Sequence, residues 1–566
     1  MVLTFSGTTT IWHEPPRYSP DELAITDWPL LSAILRQRGI TSTEAALAYL
    51  TPERTPLGDP FLLPDMHQAV TMIREAIERG DRIAIFGDYD VDGISSTAML
   101  TRALRRLGAD VTPRIPHRAN EGYGLNTRAV EDFAAAGCKL LITADCGSSN
   151  VAEIDLALTR GMRVIVIDHH RVHHELPEEV AFVSPTRPES RYPEGELATA
   201  GVSYTLLRAL LGDDAAEMYL PYAALGTVAD VVPLRGENRT LAARGIEMLR
   251  RWSLPGFKAL CKLAGIERRA VDAFAIGYII GPRINAAGRM DTPDIALDWF
   301  LSDDLAASLP HAERLDQLNR ARQNETKRVL AQAEMQILQQ GGAERQPVLV
   351  VDGEGWNVGV VGIVAGRLAE RHNRPAVVIA RGSEFSTGSA RTAGGVDITE
   401  AIRECRDLLE RFGGHTAAAG VTLATSRIGE FRERLSRVVN DHLGGRLPVR
   451  EIHLDAEIPH HDLTLDTVDR LTVLEPCGHG NEQPLLLVRG VRPVNARTSR
   501  DGRHLLFTVT DAEGRAHKAA FFDAGHRLTE LLRYDRIDVA AELRRNSWNG
   551  RTNLELRLTD FRPATP

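Results

Sequence analysis

The sequence predicts an α/β protein: a parallel-sheet domain joined by a long helix to a second α/β domain, then a small C-terminal β-barrel. Three observations predict it. In the first half, short apolar runs alternate with amphipathic helical stretches. A second alternation of the same kind begins near Pro347. From about Pro448 short strand-like runs separated by turn residues replace it. A chain of 566 residues exceeds one hydrophobic core, since domains usually hold roughly 100–200 residues.

Residues 1–80 read as a helical lead-in. Thr41-Ser42-Thr43-Glu44 caps one helix, Pro52, Pro56, Pro60 and Pro64 break the chain, and a second helix over about 65–79 stops at Gly80. Residues 81–234 form the first α/β domain. Ile83-Ala84-Ile85-Phe86 is a buried strand that runs into an acidic loop, followed by a helix from Thr97 to Leu107. Leu140-Leu141-Ile142-Thr143-Ala144 is a second strand, ending at Asp145, and Val164-Ile165-Val166-Ile167 a third, ending at Asp168. Open parallel sheets bind ligands beyond the carboxyl ends of their strands, so these strands deliver polar groups to one edge.

Residues 235–345 are mostly helical. Their last part, roughly Pro310 to Gln340, is one long, partly exposed connecting helix that acts either as a spacer or as a substrate contact. Residues 346–446 form the second α/β domain, where Val348-Leu349-Val350-Val351 and Ala376-Val377-Val378-Ile379 bracket a glycine-rich helix from Gly359 to Leu368. In residues 447–566 the strands fall at Leu485–Val488, Leu505–Thr510, Ala519–Phe522, Ile537–Leu543 and Leu554–Leu558, a spacing that suits an OB-fold.

Composition narrows the class. Apolar residues make up 43% and charged residues 25%, which excludes global disorder and fibrous proteins. The net charge of −9 does not exclude nucleic acid, because a local basic groove can bind phosphate on an acidic protein. Five scattered cysteines without a C-x-x-C pair read as reduced intracellular thiols, and Cys146 as a small strand-end filler. No run approaches ~18 apolar residues and the N-terminus has no signal layout. The expectation is a cytoplasmic protein with no membrane partner.

Asp88, Asp90 and Asp92 alternate within five residues just after a strand, where they can converge on one point. Carboxylates this close repel unless cations sit between them. A solvated acidic turn and a calcium loop are the alternatives, although the terminal Glu of an EF-hand is missing. Asp168-His169-His170 mixes imidazole with carboxylate, which suits manganese, iron, cobalt or zinc better than magnesium or calcium. Asp145 and Asp230 are individually explicable as cap or turn residues. As a set these residues supply enough ligands for two metals, Asp145 serving as a bridge, and two cations are the standard device for phosphoryl hydrolysis.

Asp88-Tyr89-Asp90-Val91-Asp92-Gly93, Thr143-Ala144-Asp145-Cys146-Gly147, Asp168-His169-His170 and Gly226-Thr227-Val228-Ala229-Asp230 occur in the order of the successive motifs of the DHH phosphoesterases, which the chain resembles. Within that superfamily it is most similar to the bacterial single-strand-specific 5′→3′ exonucleases. The likeness extends through Gly281-Pro282-Arg283-Ile284-Asn285-Ala286-Ala287-Gly288-Arg289, Gly355 to Leu368, Gly388-Ser389-Ala390-Arg391, Gly413-Gly414-His415 and Glu475-Pro476-Cys477-Gly478-His479-Gly480-Asn481. The resemblance implies a DHH domain, a DHH-associated domain and an OB-fold.

It also implies roles. Asp90, Asp92, Asp145, His169 and Asp230 match the metal ligands, with Asp88 and His170 as direct or supporting groups and His170 a phosphate contact or acid. Arg283 suits phosphate through its rigid donor fork. Asn285 and Arg289 would help hold the strand, and Arg289 is equally explicable as a domain-interface residue. Ser389, Arg391, Gly414 and His415, in glycine-rich loops, would bind the terminal 5′-phosphate and the charge of the transition state. In the OB-like region Trp548, on a turn, is the stacking candidate ahead of Phe507, Phe521 and Phe522, with Arg497, Arg500, Arg544 and Arg545 as phosphate partners.

The function these readings imply is two-metal hydrolysis of single-stranded DNA from the 5′ end, releasing 5′-mononucleotides in DNA recombination and repair. Manganese is the expected cofactor, as two ions, with magnesium as the substitute. The expected partners are single-stranded DNA, a helicase and a single-strand-binding protein, and the expected state a monomer. The rival readings are a DHH phosphoesterase acting on short oligonucleotides or cyclic dinucleotides, and a catalytically inactive DNA-binding scaffold. Asn357, where a His is common after the Trp, departs from the pattern without touching a presumed ligand.

Overall fold

The computed structural model describes residues 10–118, 120–170, 176–393, 395–511, 513–548 and 551–564. The chain forms two compact units, one of residues 56–449 with 478–480, the other of residues up to 55 with 450–477 and 481–566.

The larger unit opens with a five-stranded parallel sheet: β1 Arg82–Gly87, β2 Val111–Arg114, β3 Cys138–Ala144, β4 Arg163–Ile167 and β5 Ala181–Val183, in the order β2-β1-β3-β4-β5. Every residue of β1 after Arg82 is buried, as a strand covered on both faces requires. β2 and β5 escaped the sequence reading, because three or four residues carry no periodicity. Helix α1, Val91–Arg106, follows the acidic loop and packs against α2, Thr199–Leu211, and α3, Leu220–Ala229. A wide π-helical turn, Ala275–Ile280, leads into α4, Gly281–Met290.

The long helix is α5, Leu305–Gln339. It starts upstream of Pro310, because Asp304 caps it by accepting from the Ala307 N–H at 2.8 Å. It is more than a spacer. Leu315 and Leu318 enter the core of the first domain, whereas Val329, Ala333 and Ile337 enter that of the second, so one helix is shared by two cores.

The second domain has strands β6 Leu349–Glu354, β7 Ala376–Arg381, β8 Phe385–Arg391, β9 Arg411–His415 and β10 Ala418–Ala424, in the order β9-β10-β8-β7-β6, with helix α6, Val358–His372, packed on β7 and β8. Only β6 and β7 are parallel. Arg391 and His415 therefore end strands, where glycine-rich loops were expected. Gly, Ser and Ala give these strands too little apolar alternation to be read.

In the smaller unit Leu486–Thr498, Leu505–Thr510, Ala516–Phe521, Arg551–Pro563 and Ile537–Trp548 neighbour one another in that order, and the first also pairs with the last, closing a five-stranded barrel. Its core includes Ile25, Trp28, Leu30, Leu31, Ile34 and Leu35 from the N-terminal helical segment. The strand Thr10–His13 pairs in parallel with Arg450–His453. Among the described residues no helix is long and apolar enough to cross a membrane.

Candidate metal centre

Sheet register assembles the site. Gly87, Ala144 and Ile167 stand side by side on β1, β3 and β4. The next residue of each strand is Asp88, Asp145 and Asp168, and each extends the ladder by one bond: Asp88 N–H to Ala144 O, Asp145 N–H to Ile167 O and Asp168 N–H to Val183 O, at 3.2, 3.0 and 3.4 Å. Three buried carboxyl side chains thus leave one sheet edge at the same level. Asp145 holds a left-handed φ of 66°, a conformation non-glycine residues keep where the surroundings over-determine it, often at functional sites.

Asp90 caps α1, its Oδ1 accepting from the N–H groups of Asp92 and Gly93 at 2.9 and 3.1 Å. Gly93 lets the helix reach the strand end, for a Cβ there would lie 2.5 Å from the Asp88 backbone nitrogen. Asp92 is held by the amino end of α2, with Oδ2 and Oδ1 accepting from Thr199 N–H and Ala200 N–H, both at 2.8 Å. Thr199 Oγ1 donates to Asp145 Oδ1 at 3.0 Å. Asp230 sits at the carboxyl end of α3.

These side chains converge. Ligand atoms of Asp88, Asp90 and Asp145 lie within 4.8 Å of one another, as do those of Asp92, His169 and Asp230, and those of Asp145, His169 and His170. His169 Nε2 is 3.6 Å from both Asp145 Oδ1 and Asp230 Oδ2, so Asp145 stands between the first two groups. Asp168 stays outside the three groups. It accepts from His170 Nδ1 at 2.7 Å and from Ser148 N–H at 3.2 Å, and so orients His170.

The electrostatics fit cations. Burial and Asp90 push Asp92 up to about 7. Burial and the other aspartates push Asp230 up to about 9, and raise Asp88 and Asp145 well above the carboxylate range. Asp88 Oδ1 is buried without a hydrogen-bond partner. Burial, then the neighbouring His170, lowers His169 to about 4, which keeps its imidazole neutral and able to ligate. Asp168 behaves oppositely: burial opposes ionisation, but the His170 and Ser148 hydrogen bonds hold it at about 2. Burial and the adjacent carboxylates push the Cys146 thiol up, in keeping with a filler.

The second domain adds donors. His415 pairs with Ala418 and Ala418 with Arg391, so these two side chains leave one sheet end on β9 and β8. The His415 ring stacks toward His170 with centroids 6.1 Å apart. Ser389 and Arg391 lie along α6, where a Cβ on Gly362 would be 3.1 Å from Ser389 Oγ and 3.3 Å from Arg391 Nη2. Gly414, at φ 156°, lets β9 close on β10.

Arg289 donates to Gly359 O at 3.0 Å and so joins the two domains. Burial, Arg118 and Arg322 lower it to about 9. Asn285, one turn earlier on α4, has a buried Oδ1 without a hydrogen-bond partner. Arg283 is committed to Asp316 Oδ1 at 3.0 Å and Ile279 O at 2.7 Å, which ties its guanidinium to α5.

Two residues near the centre were missed in the sequence. Arg118 lies over the Tyr89 ring at 4.6 Å, and Tyr123 donates to Asp145 O at 3.1 Å. Both sit in an irregular segment after β2, where no motif or periodicity marks them.

In the barrel, Phe507 and Phe521 are core residues, whereas Phe522 is exposed with Arg557 5.1 Å from its ring. Arg544 pairs with Glu542 and Arg545 with Asp469. Trp548 ends a strand, where a turn was expected, and its side chain lies outside the described residues.

Comparison with known proteins places this geometry. Residues 82–229 match the DHH family, N-terminal domain, residues 345–441 the DHHA1 domain, and residues 454–560 the RecJ OB domain. The chain is 36% identical over 549 residues to the single-stranded-DNA-specific exonuclease RecJ of Bacillus subtilis, covering 95% of this chain and 68% of that protein. It is 36% identical over 531 residues to the protein of the same name from Thermus thermophilus, covering 92% and 75%. The crystal structure of RecJ in complex with Mn2+ from Thermus thermophilus superposes with a TM-score of 0.83 at 31% identity, covering 98% of this chain and 80% of that one. The crystal structure of exonuclease RecJ bound to manganese gives 0.59 at 35% identity, covering 68% and 96%.

Proposed function

The chain belongs to the RecJ family of single-stranded-DNA-specific exonucleases, and from that premise we propose that it hydrolyses single-stranded DNA from the 5′ end, releasing 5′-mononucleotides in DNA recombination and repair. One observation carries the reading. Five aspartates and His169 from five separate elements converge, with four of the carboxyl groups driven toward protonation by burial and by one another.

The residues fit two divalent cations, manganese with magnesium as the substitute, as in the solved relatives with Mn2+ and Mg2+. Asp88, Asp90 and Asp145 would hold one ion, and Asp92, His169 and Asp230 the other, with Asp145 placed to bridge. When bound, such a pair activates water and offsets the charge that builds on the phosphate oxygens.

The remaining steps belong to the side chains. Asp168 fixes Nδ1 of His170, so Nε2 is the nitrogen that meets the scissile phosphate or carries a proton to the leaving oxygen. Ser389, Arg391 and His415, with Arg118 between the domains, supply donors for the terminal 5′-phosphate and the reacting group. Asn285 and Arg289 on α4 would help hold the strand, whereas Arg283, expected to grip phosphate, is engaged by Asp316 and Ile279 and braces α4 on α5. The complete donor set argues against an inactive scaffold.

The same reading describes a cytoplasmic monomer that takes strands from a helicase and works beside a single-strand-binding protein. Both α/β domains lie in one compact unit, so a second copy is unnecessary.

The test uses duplexes with a single-stranded overhang of either polarity and Mn2+. Degradation of 5′ overhangs, lost in Asp145→Ala, is expected. Degradation of 3′ overhangs only would overturn the direction, and no release by the wild type would overturn the reading.

A further inference from the structure

Two large aromatic side chains stand in water on a segment packed against the aspartate-bearing helices, outside every role assigned above. Phe274 is 49% exposed and Tyr278 74% exposed, and their rings stack with centroids 4.9 Å apart and planes 22° from parallel. Isolated exposed apolar residues need no explanation, but a preformed stack of two rings in solvent forgoes apolar burial that packing would reward. Tyr278 is carried on the Ala275–Ile280 π-helix, a wide turn often kept at functional sites, and Phe274 immediately precedes it. Asp272 Oδ1 anchors its start by accepting from Ala275 N–H at 2.7 Å, and Ala275, Ile276 and Ile280 bury the opposite face.

Gly277 and Gly281, a different side of the same segment, lie against the helices bearing the aspartates. A Cβ on Gly277 would lie 3.9 Å from Val228 Cγ1. One on Gly281 would lie 3.4 Å from Ala229 Cβ and 3.8 Å from Val91 Cγ2. Asp230 follows Ala229, and Asp90 and Asp92 flank Val91. Val231, next after Asp230, is itself 60% exposed. The turn leading into the π-helix carries Arg268 and Arg269, both exposed. The segment therefore combines outward π faces, exposed guanidinium groups a few residues earlier in the chain and packing against the metal-bearing helices. That combination suits an unpaired strand, whose bases offer flat faces and whose backbone offers phosphates.

We propose that the Phe274–Tyr278 stack is a base-stacking platform, which holds unpaired nucleobases of the substrate strand outside the metal centre, on the segment packed against its helices. The proposal rests on the single-strand nuclease reading and names where that strand is gripped outside the catalytic groups. Stacking on aromatic rings is worth ~1–3 kcal/mol per base and tolerates any sequence, so the platform would add affinity without base preference. Neither residue touches the reacting atoms. Both are positioning residues, and their effect belongs in KM.

The test compares the wild type with Phe274→Ala/Tyr278→Ala on oligothymidylates from trinucleotides to about twenty residues, with Mn2+. The expected result is KM raised roughly 5- to 160-fold on long strands, the range that ~1–3 kcal/mol converts to, with kcat and thermal midpoint unchanged and little effect on trinucleotides. Tyr278→Phe should keep wild-type KM, since it keeps the ring. Tyr278→Trp should show saturable fluorescence quenching by oligothymidylate in chelator, where no hydrolysis occurs. Unchanged KM on long strands, or an equal loss on short and long ones, would overturn the platform, as would the absence of quenching. If the wild type degrades no single strand yet Tyr278→Trp is quenched, the nuclease reading fails while the platform stands.

Discussion

Gly226→Ala asks whether the aspartate cluster is held by shape as well as by charge. Gly226 lies in α3 where it crosses α1 and α2. A Cβ at this position would overlap Ala200 Cβ and come within 2.6 Å of Asp92 Oδ1 and 2.8 Å of Ser95 Oγ. Apolar carbons rest at about 3.5–4.0 Å, so the helices must part by roughly 1 Å. Overpacking of this kind costs ~1–3 kcal/mol, offset by up to ~1 kcal/mol from the better helix propensity of alanine. Net destabilisation of ~1–2 kcal/mol leaves the chain folded. The larger effect falls on Asp92, whose Oδ1 would be pressed off the Ala200 N–H it meets at 2.8 Å. Misplacement by about 1 Å costs on the order of 100-fold in rate, and loss of a ligand's support ~10- to 100-fold in metal affinity. The assay is a Mn2+ titration of exonuclease rate alongside a denaturant melt. Gly429→Ala is the control, since a Cβ there meets nothing within 4 Å. Wild-type metal dependence and rate in Gly226→Ala would show that α3 can yield without moving Asp92, and would refute the reasoning.

Removing divalent cations should destabilise the protein more as pH rises. Asp92 at about 7 and Asp230 at about 9 lie above their ordinary 3.8, so the stability their protons confer is present below about pH 4 and lost as pH climbs through those values. Melts with chelator should therefore fall from acid toward alkaline pH, and Mn2+ should flatten the trend. Asp168→Asn removes a buried carboxylate held at about 2, worth ~2 kcal/mol above pH 4 and lost as pH falls toward 2. In that variant kcat should drop ~10- to 100-fold, and the His170-dependent limb of the pH–rate profile should move to lower pH. Asp230→Asn should abolish Mn2+-dependent activity yet raise the thermal midpoint in chelator, because it deletes the carboxylate that burial and its neighbours oppose. Asn481→Ala should lower the urea midpoint by the equivalent of ~3 kcal/mol. Its Nδ2 donates to Leu474 O and Pro476 O at 3.0 and 2.7 Å, its Oδ1 accepts from Arg38 and Tyr49, and all four partners lose a buried bond.

What the sequence reveals depends on how local the cause is. Asp88, Asp145 and Asp168 were placed at strand ends because Ile83–Phe86, Leu140–Ala144 and Val164–Ile167 are unbroken apolar runs, and only a buried parallel strand explains such runs. The acidic loop pointed to a metal because repulsion among close carboxylates is a local fact. Long-range causes were invisible. Nothing around Thr199 or Ala200 announces that their N–H groups hold Asp92, more than a hundred residues away. Nothing separates Asp168 from its neighbours as the residue that orients His170. Phe385–Arg391 and Arg411–His415 hide as strands because small residues give no alternation, and Arg118 has no signal beyond its charge. The packing of Ile25, Trp28 and Leu30 into the barrel core spans the whole chain and leaves no local mark.

The two helix ends at the centre are opposed, and they offer the two carboxylates different surroundings. α2 presents its amino end to Asp92, where free N–H groups and the helix dipole favour a negative charge. α3 presents its carboxyl end to Asp230, where the dipole disfavours one. Burial and Asp90 raise Asp92 only to about 7, because the Ala200 and Thr199 N–H groups oppose them, whereas burial and the neighbouring aspartates push Asp230 up to about 9. Asp92, His169 and Asp230 would hold a cation there, whose charge would favour the ionised form of both carboxyl groups. His169, neutral and 3.6 Å from Asp230, adds a donor without adding charge.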